Sequence, residues 1–172
     1  GIGFYNFFSG HHPNLLKMAE KSYRAALKTK FIRGQAMALD LMAHGLFFSG
    51  KIQESFEALD QVIALAKKME ANSLASGYQV SKVCYMAQVS VQPKKSISEL
   101  QEVLSGLTSQ DTFSRNSIQL EILRQLTHRG QFAEVHLLFG QISPEIYRSK
   151  NSRQIATLLH RYSFLLHLQG SN

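Results

Sequence analysis

One cysteine and three prolines are all that this 172-residue chain carries of the residues that most constrain a backbone. Cys84 alone cannot close an internal disulfide, and no Cys/His cluster has zinc-finger spacing, so a reducing, cytoplasmic setting is expected. No uncharged apolar run approaches the roughly 18 residues that a spanning helix requires. The opening Gly1-Ile2-Gly3-Phe4 lacks the basic start of a signal peptide, and no membrane partner is expected. The glycines are scattered, which excludes a loop that cradles phosphate. Carboxylates number only twelve, and Glu54, Glu57 and Asp60 fit the wet face of a helix rather than an acid/base pair. His160 and His167 stand seven apart and His44 lies on an equivalent face, but no carboxylate or second thiol accompanies them at ligand spacing. The expectation is therefore no metal, no cofactor, no catalytic residue and no enzyme.

What is present is apolar helical patterning and an uneven charge. A chain of this length buries about 70% of the surface its unfolded form exposes, enough for one domain without cross-links. Nineteen basic residues face twelve acidic ones, and residues 1–33 hold six of the former against Glu20 alone. Lys17, Lys21, Arg24 and Lys28 recur at intervals of four, three and four, which places them along one stripe of a helix. That stripe is a solvated face or, alternatively, a patch for an anionic ligand or nucleic acid, the latter disfavoured by the lack of interleaved aromatics. Arg148, Lys150, Arg153 and Arg161 form a sparser basic cluster of the same kind.

Apolar residues three and four apart run through Ile32–Phe48, Ile52–Met69, Leu74–Val89, Ile118–Thr127 and Ile155–Leu168, and strand signals are nearly absent. Pro13, Pro93 and Pro144 read as helix boundaries. Ser96-Ile97-Ser98-Glu99, Ser143-Pro144-Glu145 and Asn151-Ser152-Arg153-Gln154 read as capping segments. The tetrapeptide Phe7-Phe8-Ser9-Gly10 recurs as Phe47-Phe48-Ser49-Gly50, and the same forty-residue step reaches Gly130 and Gly170, with Ser90 the exception. Seven residues before each marker stand Gly3, Ala43, Val83, Leu123 and Ser163; four before stand Asn6, Leu46, Met86, Leu126 and Leu166. A mostly small column beside a mostly large one lets two antiparallel helices interdigitate, and glycine at the marker turns the chain between them. The helices expected are 13–29, 33–49, 52–69, 73–89, 94–107, 114–129, 131–141 and 151–168, after a stub at 2–8. Such hairpins bury their apolar faces only by stacking, which makes an all-α solenoid of about eight helices, with units near 1–32, 33–72, 73–112, 113–150 and 151–172. Because both ends fall at an unpaired first helix of a hairpin unit, the A helix, the chain reads as a segment of a longer superhelix.

These residues resemble the tetratricopeptide repeat (TPR) family. In Ala36–Met69, Met42-Ala43 stands where the family has Leu-Gly, Leu46 where it has an aromatic, and Gly50-Lys51 at the turn, with Ser55, Leu59 and Val62 in the small, large, small places of the second helix. The forty-residue length and the absence of a unit-ending proline make the chain similar to the longer TPR-like repeats of bacterial regulators, including the sensor domain of the maltose activator and the superhelical domains of peptide-pheromone receptors. The resemblance implies a right-handed solenoid that binds proteins or peptides on a concave face lined by the first helix of each unit. Carried over unit by unit, that face takes Met37, Asp40, His44 and Phe47, then Gly77, Val80, Cys84 and Ala87. The fourth unit adds Ser117, Leu120, Arg124 and Thr127, and the last Thr157, His160, Phe164 and His167. Phe4 and Phe7 come from the stub. In the third unit a one-residue slip to Tyr78, Ser81 and Tyr85 stays open. An extended or helical peptide with an acidic residue near Arg124 suits this lining. The implied role is a non-catalytic scaffold or sensor segment in a signalling or regulatory protein, with self-association through exposed repeat ends.

Overall fold

The computed structural model describes residues 12–170, apart from the side chains of His12, Pro13 and Pro93. Eight helices follow one another: α1 (His12–Lys28), α2 (Ile32–Phe48), α3 (Ile52–Lys68), α4 (Asn72–Val89), α5 (Pro93–Ser105), α6 (Thr112–His128), α7 (Phe132–Arg148) and α8 (Ser152–Leu168). The described residues contain no strand. Six of the helices have 17 residues each. With three-residue turns between them, the true step is twenty residues, and helices begin at 12, 32, 52, 72, 112, 132 and 152. The sequence shows only every second step because only alternate turns carry glycine.

The turns after α1, α2, α3 and α6 share one hydrogen-bond motif. At the end of α2, the Lys51 N–H donates to the Leu46 carbonyl at 2.9 Å and the Gly50 N–H to the Phe47 carbonyl at 3.0 Å, with Gly50 at φ 78°. This six-to-one and five-to-two pair satisfies carbonyls that the helix end leaves open, and it needs a left-handed residue at its centre. Gly130 repeats it at φ 69°, and Gly170, at φ 71°, donates to the His167 carbonyl at 3.1 Å. Between them the same place falls on Lys30, Glu70 and Lys150, at φ 53°, 56° and 53°. A Cβ costs about 1–2 kcal/mol in that region. Each of Lys30→Gly, Glu70→Gly and Lys150→Gly is therefore expected to stabilise the chain, by about 0.5–1 kcal/mol once the larger unfolded-state entropy of glycine is subtracted. Gly50→Ala and Gly130→Ala should each cost about 1 kcal/mol from backbone conformation alone, since an added Cβ there meets nothing within 4 Å. Denaturant melts of the five variants check both signs.

The described helices divide into two compact units between Lys82 and Val83, inside α4. In the first, α1 packs on α2 and α2 on α3 as antiparallel hairpins. Its contacts are close because its seams are small: Ala36, Ala43 and Ala66 are fully buried, and Gly45 lets α2 approach the backbone of Leu16. Ser55 anchors α3 by donating its hydroxyl to the Ala43 carbonyl at 2.8 Å. In the second unit α5, α6 and α7 pair in order, and α8 packs on both α7 and α6. Consecutive helices packed as hairpins, with α8 also reaching back to α6, form the stacking pattern of an α-solenoid. Its core joins Leu120, Leu123, Val135, Ile142, Ile146, Leu158 and Leu165.

Three local expectations change. The helix expected to stop at residue 141 runs on to Arg148, with Pro144 inside it rather than at its start. Proline there removes the bond to the Gly140 carbonyl, but Gly140 and Pro144 both face water and Gly140 has no side chain to crowd the ring, while Ile142 and Ile146 hold the helix in the core. Ser96 is not a cap: α5 starts at Pro93, and Ser96 donates to the Gln92 carbonyl at 3.2 Å within the first turn. Asn151 does cap α8, accepting the Gln154 N–H at 3.1 Å, but the Gln154 side chain turns away into the helix stack instead of closing a capping box.

Candidate functional site

In the second unit the packing of α8 on α6 brings two guanidiniums to one carboxylate. Glu121 lies in the middle of α6 with 2% of its surface exposed. Its Oε1 accepts from Arg124 Nε at 2.9 Å, Arg124 Nη2 at 2.7 Å and Gln125 Nε2 at 3.3 Å. Its Oε2 accepts from Gln88 Nε2 of α4 at 3.4 Å and Arg161 Nη2 of α8 at 3.5 Å. Gln125 is fixed in turn by donating to the Ala87 carbonyl at 2.6 Å. One turn earlier, Asn116 donates to Gln154 Oε1 at 3.2 Å, and Gln154 donates to the Phe113 carbonyl at 2.9 Å and to Ser117 Oγ at 3.2 Å. Two turns later, the rings of His128 and Phe164 stand 5.9 Å apart.

The electrostatics of this face are unbalanced. Two cations and one anion leave a net positive charge in a half-buried place, and Arg161 Nη1 is buried with no acceptor. Burial pulls the Arg161 guanidinium below the ordinary arginine range, with Glu121 acting in the opposite direction. Beside them the Cys84 thiol is pushed up to about 12, chiefly by burial and then by the Glu121 charge. A thiol so held stays protonated near neutral pH and is no nucleophile. Among the described residues no group of three His, Cys, Asp or Glu is placed to hold a metal ion.

The residues expected along the A-helix face divide by exposure. Arg124 and Cys84 belong to the cluster, and His160, Phe164 and His167 are exposed on α8. In the first unit Met37 is exposed, and Asp40 and His44 are half-buried and paired at 3.6 Å. Burial, and then the Asp40 charge, raise the Tyr78 phenol to about 12. Five expected residues offer no surface, Ala87 and Leu120 being buried at 3% and 4%. Phe47 and Val80 are buried at 8% and 4%, and Thr127, at 4%, spends its hydroxyl on the Leu123 carbonyl at 2.8 Å. At two of these positions the next residue is the accessible one: Phe48 is exposed where Phe47 is core, and His128 where Thr127 is buried. Phe47 and Phe48 meet edge to face at 5.5 Å, one inside and one out. Phe4 and Phe7 lie outside the described residues. Lys17, Lys21, Arg24 and Lys28 are all exposed along α1.

Sequence reasoning missed Glu121, Gln88 and the central role of Arg161. A signal existed, since Glu121 and Arg161 are forty residues apart and so occupy the same repeat position with opposite charge. No family model, curated protein or solved structure matches the chain.

Proposed function

We propose that the chain is a non-catalytic scaffold that binds a protein or peptide segment along α6 and α8 of the second unit, with an acidic residue of the partner received beside Arg161 and Arg124. The observation supporting this reading is the half-buried pair of guanidiniums with a single internal carboxylate between them. Desolvating a guanidinium without a full counter-charge is unfavourable, and a partner carboxylate relieves it. Exposed Phe164 and His128 next to the cluster supply an aromatic anchor, the kind of residue that dominates binding energy at such surfaces. A role as a sensor segment of a cytoplasmic regulator, as the TPR resemblance implies, extends the same reading.

The test is selection from a random peptide display library on the immobilised chain, followed by titration of the enriched peptides. Enriched sequences should share an Asp or Glu near an apolar residue, and Phe164→Ala and Arg124→Ala should each weaken them about tenfold. Helical content should not change, because both side chains are partly exposed. No enrichment, or binding indifferent to both substitutions, would remove the assignment.

A further inference from the structure

The repeat supplies an internal control for the basic face of α1. Moving Lys17, Lys21, Arg24 and Lys28 forward by forty residues lands on Glu57, Gln61, Ala64 and Lys68 of α3; a step of 120 lands on Leu137, Gln141, Pro144 and Arg148 of α7. Those helices fold into the same hairpins without a cationic stripe, so the fold does not require one. Lys30 and Arg33 extend the charge around the α1–α2 turn, and Glu20 is the one carboxylate between residues 12 and 33. None of the six cations has an ion-pair partner among the described residues.

The same corner is unusual in its apolar residues. Leu27, Phe31 and Ile32 are 48%, 57% and 40% exposed. Their repeat equivalents are Lys67, Ala71 and Asn72 at the α3–α4 turn, and Tyr147, Asn151 and Ser152 at the α7–α8 turn. Gly34 seats the Phe31 ring, which occupies the space a Cβ would take, whereas the equivalents of Gly34 are Leu74 and Gln154. Large apolar side chains held in water amid unpaired cations match one kind of surface, which is acidic outside and apolar beneath.

We propose that this corner docks on an anionic membrane surface, with Leu27, Phe31 and Ile32 entering the headgroup–acyl boundary and Arg24, Lys28, Lys30 and Arg33 facing acidic headgroups. Cations alone would equally suit a nucleic acid, but Leu27 and Ile32 have no π-face to stack on a base, and Tyr23, the aromatic on α1 beside Phe31 of the turn, is half-buried. The expectation of no membrane partner rested on the lack of a spanning run. The described helices indeed include none long and apolar enough to cross a membrane, but surface docking requires no such run. The proposal is independent of the α6–α8 face.

Sedimentation of the 172-residue chain with vesicles tests it. Vesicles of phosphatidylcholine with about 30% phosphatidylserine should bind the protein at least tenfold better than phosphatidylcholine alone at about 50 mM salt, and the difference should collapse at about 500 mM. Arg24→Glu with Lys28→Glu should reduce binding by at least tenfold, and Phe31→Ser severalfold with the salt dependence retained. All three positions are exposed, and far-UV circular dichroism confirms that the variants fold. Equal binding to both vesicles, or none, overturns the proposal. So does tighter binding to a single-stranded oligonucleotide that Phe31→Ser leaves unchanged, which would assign the cations to nucleic acid.

Discussion

Glu121→Ala is expected to cost the chain about 2–4 kcal/mol. The carboxylate is buried and accepts five hydrogen bonds drawn from three helices. Removing one partner of a buried pair typically costs about 3–5 kcal/mol, because the other charge is left uncompensated. Here the figure is lowered, since the Arg124 and Arg161 side chains are 26% and 18% exposed and can swing toward water. Glu121→Gln keeps the shape but not the charge and should cost about half as much. The decisive comparison is a double-mutant cycle with Arg161→Leu. If the two guanidiniums depend on Glu121, the double variant should recover about 1 kcal/mol or more relative to the sum of the single losses. Urea titration gives the energies. Amide hydrogen exchange should place the loss in α6 and α8 and leave α1 to α3 unchanged, because stability in stacked hairpins is shared mainly between neighbours. Additive losses would show that the three charges act separately.

The cluster was the part of the molecule least visible in the sequence, for a physical reason. Glu121 is held by Arg124 and Gln125 on its own helix, at spacings that a helical reading detects, but also by Gln88 and Arg161 from helices before and after it. Only the stacking of those helices brings them together, and a one-residue error in register moves the whole column. The A helices make that error easy. α6 is buried on several sides, so Leu120, Glu121, Ile122 and Leu123 are all inaccessible in succession and no apolar stripe marks a single inner face. Helix positions were far more legible. Glycine announces the left-handed residue at 50, 130 and 170, and the forty-residue count follows from it. Lys30, Glu70 and Lys150 adopt the same conformation silently, which is why the twenty-residue step stayed hidden. Pro144 misled in the opposite sense, a strong local signal overridden by the buried isoleucines on either side of it.

In the first unit the corresponding weak point is Ala43, and Ala43→Glu is expected to unfold it. Ala43 is fully buried, and its carbonyl accepts the Ser55 hydroxyl of α3 at 2.8 Å, so the two helices meet at this residue. Leu59 and Val62 of α3 are fully buried as well. A glutamate side chain here has to drive the helices apart or bury a carboxylate unpaired, and the second alone costs several kcal/mol even if the group protonates. The expected loss exceeds about 4 kcal/mol, comparable with the whole stability of a small domain. Ala43→Leu separates the two contributions: it overfills the seam without charge and should cost about 1–3 kcal/mol. Met37→Glu, on the same helix but 47% exposed, should cost almost nothing. Far-UV circular dichroism should show Ala43→Glu losing the helical signal of α1 to α3 at room temperature, with the other two variants folded. A folded Ala43→Glu protein melting within a few degrees of the parent would mean that α2 and α3 are not in close contact at Ala43, and the small-against-large seam inferred from the repeat would have to be given up.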